Sequence, residues 1–388
     1  MPSMSVLKDK QLQQLLQQER RRQREAVNLV ASENIAPEGV MELSGSVFAN
    51  KYAEGKVGRR YYPGTKMCDE VELLAQQRAR KAFGLSDVWG VNVQAYSGAI
   101  ANLAVYQALL SLGDTILSMD LSAGGHLSHG ASASSVSKLY NVVQYGVDVN
   151  YRIDYDHVRK LAKKHKPKLI VSGASAYPFV IDFDAMGTIA HEVGAYHVAD
   201  ISHYAGLIAT GMYPSPFLSA DVVTTTTHKS LMGPRGAIIF SRDTLSGLID
   251  KAVFPGLQGG PHMETIAAMA SGLYLVLRPS FTSYAKKVIA NTSYFAKELA
   301  KRGCDIVGGG TQSHLLLVDV TSLGIDGKEA QERLEQEGIL VNKNAIWKDE
   351  SVQHPSAIRM GLYWMTNKGI TKKELSALAE RIVGVLSI

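Results

Sequence analysis

Six short runs rich in β-branched and apolar residues, VWGVNV, TILSM, KLIVSG, AYHVAD, VVTTTT and AIIFS, punctuate the chain between residues 88 and 241. Helical patterns over 99–112, 154–165 and 185–193 separate them. Apolar strands divided by helices are buried on both faces, so the expected fold is α/β, a mainly parallel sheet wrapped by helices. Ahead of it, residues 69–83 carry Val71, Leu74, Ala75, Ala79, Ala82 and Phe83 along one helical stripe.

The rest of the chain reads as two additions to that sheet. Residues 8–26 suggest a solvated N-terminal helix, with Leu12, Leu15 and Leu16 at helical spacing, or else a frayed polar arm. Residues 35–65, dense in Gly, Pro, Tyr and Asn, read as a long irregular segment. Beyond GLQGGP come two helices, over 263–277 and 283–301, joined at Arg278-Pro279. HLLLVDV, a helix over 328–337, ILVN, AIRMGL and a helix over 372–386 then suggest a small α+β domain. The 388 residues, at about 150 per domain, accommodate an N-terminal helix and arm (1–50), a large domain (51–279) and a small C-terminal domain (280–388).

Composition excludes several classes. With 46% hydrophobic and 20% charged residues the chain is neither disordered nor fibrous. A net charge of +5 is too mild to point to nucleic acid. Cys68 and Cys304 form no CxxC pair, which argues against a disulfide framework or a cysteine metal site and fits a reducing compartment. The N-terminus has no apolar signal, and the longest nearly apolar stretch, 267–277, has 11 residues against the roughly 20 that span a bilayer. A cytoplasmic protein without membrane partners is expected.

Open parallel sheets bind ligands beyond the carboxyl ends of their strands. The residues there are Ser97-Gly98, Ser122 to His129, Ser175, Asp200 to His203 and His228-Lys229. A lysine and an aspartate after neighbouring strands suit pyridoxal phosphate, which needs an amine for its aldehyde and a carboxylate at its pyridine nitrogen. Ser97-Gly98-Ala99, opening a helix, would offer backbone N–H groups to its phosphate. From spacing alone, a solvated lysine, a helix-capping Asp200 and a nucleotide-binding α/β enzyme remain open.

NLVASEN (28–34), NKYAEGKVGRRYYPG (50–64), GGHLSHG (124–130), KLYNVVQYG (138–146), VVTTTTHKSLMGPRGA (222–237), VFPGLQGGP (253–261) and VNKN (341–344) resemble serine hydroxymethyltransferases in order and approximate spacing. The resemblance implies a pyridoxal-phosphate enzyme of the aspartate-aminotransferase fold type, with a seven-stranded large-domain sheet. It implies a homodimer or dimer of dimers whose active sites are shared between subunits. Lys229 would bind the cofactor covalently, with Asp200 at the pyridine nitrogen, His126 stacked on the ring, and Ser175 and His203 near its 3-hydroxyl. Ser97, Gly98 and Ala99 would meet the phosphate, joined by Gly260 of the partner subunit. Arg359 would grip the substrate carboxylate, with Ser32 and Tyr52, the latter from the partner, lining the amino-acid site. Glu54 would be the acid/base group at the β-hydroxyl, beside Tyr61 and Tyr62; core packing is the other reading of that tyrosine pair, and a solvated charge that of Glu54. Leu121, Gly125, Leu127 and Asn344 match positions that contact folate. His129 and His228 read as structural, and no metal is expected.

The implied reaction cleaves and forms a Cα–Cβ bond in a β-hydroxy amino acid, interconverting serine and glycine with tetrahydrofolate. Departures from the family's pattern keep two alternatives in view: a folate-independent threonine transaldolase or aldolase, and a non-catalytic protein that keeps the fold. They are Tyr96 and Ala99 in QAYSGA, Ala123 in AGGHL, Leu362-Tyr363-Trp364 after Arg359, which would put two large aromatics near the carboxylate site, and an early C-terminus.

Overall fold

A computed structural model describes residues 9–349, 351 and 353–387. Its large sheet has seven strands: β1 (Trp89–Asn92), β2 (Thr115–Met119), β3 (Asn141–Tyr145), β4 (Leu169–Ser172), β5 (Tyr196–Asp200), β6 (Val222–Thr226) and β7 (Ala237–Arg242). Their order is β1-β7-β6-β5-β4-β2-β3. Strands β2 to β6 pair in parallel. Only β7 runs against both its neighbours, so β1 points the same way as the parallel set. The carboxyl ends of all strands but β7 therefore share one edge. Strands β4 and β6 are buried at every residue, as expected for parallel strands covered on both faces.

The helices begin where their caps dictate. Gly98–Leu109 is capped by the Ser97 side chain, Tyr155–His165 by Asp154 and Phe183–Glu192 by Asp182. The segment read as irregular holds a helix, Glu38–Ser44, and a two-stranded hairpin, Gly55–Lys56 with Arg59–Arg60. That helix was hidden because it packs by close approach, with Gly39 against Ser271 of the helix Met263–Val276, and not by an apolar stripe of its own.

A second, antiparallel sheet comprises β8 (Asp305–Ile306), β9 (Leu315–Asp319), β10 (Asn342–Asn344) and β11 (Ala357–Gly361), in the order β8-β9-β11-β10. ILVN is split: Ile339–Leu340 pairs in parallel with Val27–Asn28, and Asn342 starts β10. Leu29 thereby enters the C-terminal core. The 23-residue helix Pro279–Lys301 roots in both cores, burying Phe281, Ala285 and Val288 in one and Phe295, Ala296 and Leu299 in the other. Proline at its first position costs no hydrogen bond.

The N-terminal helix is Lys10–Glu25, capped by Asp9, and residue 8 of the expected span lies outside the described residues. It buries nothing, and Leu12, Leu15 and Leu16 are exposed. Among the described residues no helix is long and apolar enough to cross a membrane.

Candidate cofactor and substrate site

Five of the chain's strand ends converge on one cavity of about 400 Å³. β1 leads to Ser97, Gly98 and Ala99, and β2 to His126 and His129. β4 supplies Ser175, β5 supplies Asp200, Ser202 and His203, and β6 supplies Thr226, His228 and Lys229. Ser32 comes from the N-terminal arm, and Arg359 reaches in from β11 of the small sheet.

Lys229 is 8% exposed, and among the described residues its amine makes no hydrogen bond. Its backbone is held by Asn34, whose Nδ2 donates to the Lys229 carbonyl at 3.0 Å. Burial lowers the amine's pKa to about 8, helped by Arg359 and Arg235 and opposed by Asp200. A fraction is therefore unprotonated and nucleophilic near neutral pH.

Asp200 is a fully engaged carboxylate. Oδ2 accepts from Asn102 Nδ2 at 2.8 Å and from His129 Nε2 at 3.0 Å, and Oδ1 accepts from the Ser202 N–H at 3.0 Å. Burial alone would raise its pKa; the His129 hydrogen bond and the charges around it outweigh burial and hold it well below the usual carboxylate range. The network extends from Asn102 to Ser128 Oγ at 2.9 Å and on to His126 Nδ1 at 2.8 Å. That Nδ1 also accepts the Ser128 N–H at 3.1 Å, which places the neutral ring's proton on Nε2. Burial, reinforced by neighbouring positive charge, lowers the His126 pKa to about 4, so the ring is uncharged at neutral pH.

Arg359 is oriented by two bonds. Nε donates to Asn342 Oδ1 at 2.9 Å and Nη1 to the Ser175 carbonyl at 2.6 Å. Among the described residues Nη2 has no partner, leaving one prong of the fork for a ligand. His203 Nδ1 lies 3.1 Å from His314 Nε2, and the His314 ring stacks on Tyr363 with centroids 4.3 Å apart. Tyr363 Oη donates to the His203 carbonyl at 2.8 Å. The expectation of two aromatics at the carboxylate site is thus corrected, since neither lines the cavity: Tyr363 lies behind it against His314, and Trp364 lines a groove facing the N-terminal helix.

A second hollow of about 290 Å³ adjoins the first and shares His126, Ser175 and Arg359 with it. Leu121, Gly125, Leu127 and Asn344 all line it.

One group of expected residues lies elsewhere. Tyr52, Glu54, Tyr61, Tyr62 and Gly260 do not line the cavity of their own chain. Tyr52 packs edge-on against Tyr62 at 5.2 Å, and a Cβ on Gly260 would meet Glu54 Cγ and Tyr52 Cε1, each at 3.4 Å. Tyr61 and Tyr62 are 74% and 42% exposed, so the core-packing alternative for this pair fails. Sequence reading missed Asn102 and His314, and gave Ser202, Thr226 and Tyr363 no role of their own although it named the segments that hold them. A lone Asn inside the apolar helix GAIANLAVYQAL was a usable signal; His314 carried none.

The cavity wall fits pyridoxal phosphate. Among the described residues Thr226 Oγ1 and His228 Nδ1 are buried there without a hydrogen-bond partner, a costly condition that a polar ligand would relieve. A Cβ on Gly98 would fall 2.6 Å from Thr226 Cγ2, so only glycine lets this helix start so close to β6. These features, set at the carboxyl edge of a sheet in which only β7 is reversed, are those of a pyridoxal-phosphate enzyme of the aspartate-aminotransferase fold type.

Sequence comparison narrows that class. A family profile described as serine hydroxymethyltransferase matches residues 6–382. The chain is 50% identical over 376 residues to a serine hydroxymethyltransferase of Coprothermobacter proteolyticus, covering 96% of this chain and 90% of that protein. The chain belongs to the serine hydroxymethyltransferase family, whose members use pyridoxal phosphate with tetrahydrofolate as co-substrate.

Proposed function

We propose that this cavity interconverts serine and glycine, exchanging the one-carbon unit with tetrahydrofolate. The observation that carries the reading is the unpaired, buried amine of Lys229 beside the fully hydrogen-bonded carboxylate of Asp200. When bound, pyridoxal phosphate supplies an electron sink for the pair released from the Cα–Cβ bond. Lys229 would hold the cofactor's aldehyde carbon, and Asp200 would keep a proton on its pyridine nitrogen. His126 would cover the ring as a neutral imidazole, and Ser175 and His203 would lie by the 3-hydroxyl. Ser97 and the N–H groups of Gly98 and Ala99 would receive the phosphate.

Arg359 would direct its fork at the substrate carboxylate and so set which Cα bond stands perpendicular to the ring; Ser32 would flank it. The hollow bounded by Leu121, Gly125, Leu127 and Asn344 would take the folate, next to Arg359 and His126. Tyr52, Glu54, Tyr61, Tyr62 and Gly260 would act in the cavity of a second copy, since they cluster outside their own, with the three tyrosines exposed and Glu54 and Gly260 half-buried. Glu54 would then take and return the β-hydroxyl proton. This makes a homodimer, or a dimer of dimers, the working unit, divided within each chain near residues 50 and 280. A cytoplasmic location accords with the two unpaired cysteines.

Identity to a hydroxymethyltransferase favours this reaction over a threonine transaldolase or aldolase, and over a non-catalytic role. The test is glycine formation from serine with and without tetrahydrofolate, alongside acetaldehyde release from threonine. Folate-dependent serine turnover is expected. Acetaldehyde release with no response to folate would overturn the reading.

A further inference from the structure

Arg60 lies in the hairpin just beyond Glu54, and its side chain is only 2% exposed. Nη1 donates to the carbonyls of Ala53 at 2.9 Å and Gly55 at 2.7 Å, the residues on either side of Glu54. The carbonyl of Glu54 itself accepts from the Tyr61 N–H at 3.0 Å. Three successive carbonyls are therefore tied down, two of them by one guanidinium. Arg60 is seated in turn on two carboxylates: Nη2 donates to Glu72 Oε2 at 2.6 Å and Nε to Asp69 Oδ1 at 2.7 Å. Gln94, two residues beyond β1, closes the arrangement by donating to Glu72 Oε1 at 2.9 Å and to the Gly55 carbonyl at 3.1 Å.

Against this bound backbone, the Glu54 carboxylate makes no hydrogen bond or ion pair among the described residues. Burying an arginine and a glutamate is a poor route to stability compared with apolar packing of the same volume. What a planar guanidinium offers instead is several donors at fixed angles, which a flexible ammonium cannot reproduce. Glu72 is held in the same low-exposure setting, where burial pushes its carboxyl up and Arg60 pulls it back.

We infer that Arg60, seated on Glu72 and Asp69, is a positioning residue that clamps the Ala53–Gly55 backbone and so aims the Glu54 carboxylate at the substrate β-hydroxyl. The inference rests on the role given above to Glu54. It acts on Cα–Cβ cleavage, which needs the hydroxyl proton moved, and leaves removal of a Cα proton from glycine untouched, because glycine has no β-hydroxyl.

The two reactions separate the clamp from a merely structural role. Arg60→Lys should lower kcat for serine cleavage by about 10- to 100-fold. KM for serine and the rate of glycine Cα–H exchange, followed by NMR in deuterium oxide, should stay within about threefold. Glu72→Gln and the part-exposed Asp69→Asn should show the same split in milder form, and they carry the test if Arg60→Lys does not fold. In a Glu54→Gln background, Arg60→Lys should cost nothing further. Equal loss of both reactions, or an undiminished further loss in that background, overturns the clamp. Wild-type cleavage by Glu54→Gln removes the reading of Glu54 and the inference with it. Impaired Glu54→Gln with wild-type rates for Arg60→Lys, Glu72→Gln and Asp69→Asn removes the inference alone.

Discussion

His129 Nε2 donates to Asp200 Oδ2 across 3.0 Å, and both side chains are nearly sealed from solvent. With Asn102 on the same oxygen and the Ser202 N–H on the other, the carboxylate is fixed in position and kept ionised inside the protein. A hydrogen bond to a buried charge is worth about 1.5–3 kcal/mol.

His129→Ala should therefore weaken cofactor binding by about 10- to 100-fold while leaving the fold intact. Spectroscopic titration of the apoprotein with pyridoxal phosphate measures this. An unchanged Kd would show that Asp200 needs no such support.

Lys229 should titrate far below an ordinary lysine. As the pH rises through about 8, more of the amine is free to react, so capture of pyridoxal phosphate by the apoprotein should accelerate across that range. The check is the rate of cofactor uptake, fixed with borohydride, against pH. A midpoint near the ordinary lysine value of 10.5 would contradict the burial argument. Lys229→Ala should show no borohydride-stable attachment at any pH.

Acid should destabilise the protein through buried histidines. His126 and His197 are lowered to about 4 and His228 to about 3, each mainly by burial. Between the ordinary 6.5 and those values the unfolded chain binds protons that the folded one does not, so stability falls as pH falls across that window. Tm from calorimetry should drop steadily from pH 6.5 towards 4. His197, which bonds Ser172 Oγ at 2.8 Å away from the cavity, gives a cofactor-independent control: His197→Gln should flatten part of the slope.

Gly98→Ala should strike the phosphate turn. The added carbon would sit 2.6 Å from Thr226 Cγ2, within one methyl group of a buried strand end, and the helix start must move away. Cofactor affinity is expected to fall about tenfold or more, with the circular dichroism spectrum unchanged. Thr226→Ser in the same background, which removes the obstructing methyl, should restore part of it.

The strand runs and the residues just after them were legible because parallel strands buried on both faces must be continuously apolar. β3 escaped that logic. NVVQY sits at the sheet edge with Asn141 and Gln144 exposed, so it has no continuous apolar signature. Lys229, Asp200, His126 and Arg359 were legible through motif resemblance, and the cavity collects all four. The supports beneath them were not: His203 meets His314 across 111 residues of sequence, and Arg60 holds its carbonyls through backbone atoms that every residue type shares.

The helix Pro279–Lys301, anchored at opposite ends in two separate cores, is about 35 Å long. It works as a girder between the floor that bears Lys229 and the outer wall that bears Arg359. A substitution at either footing, even one remote from the cavity, would tilt the wall and loosen the grip on substrate before it loosened the hold on the cofactor.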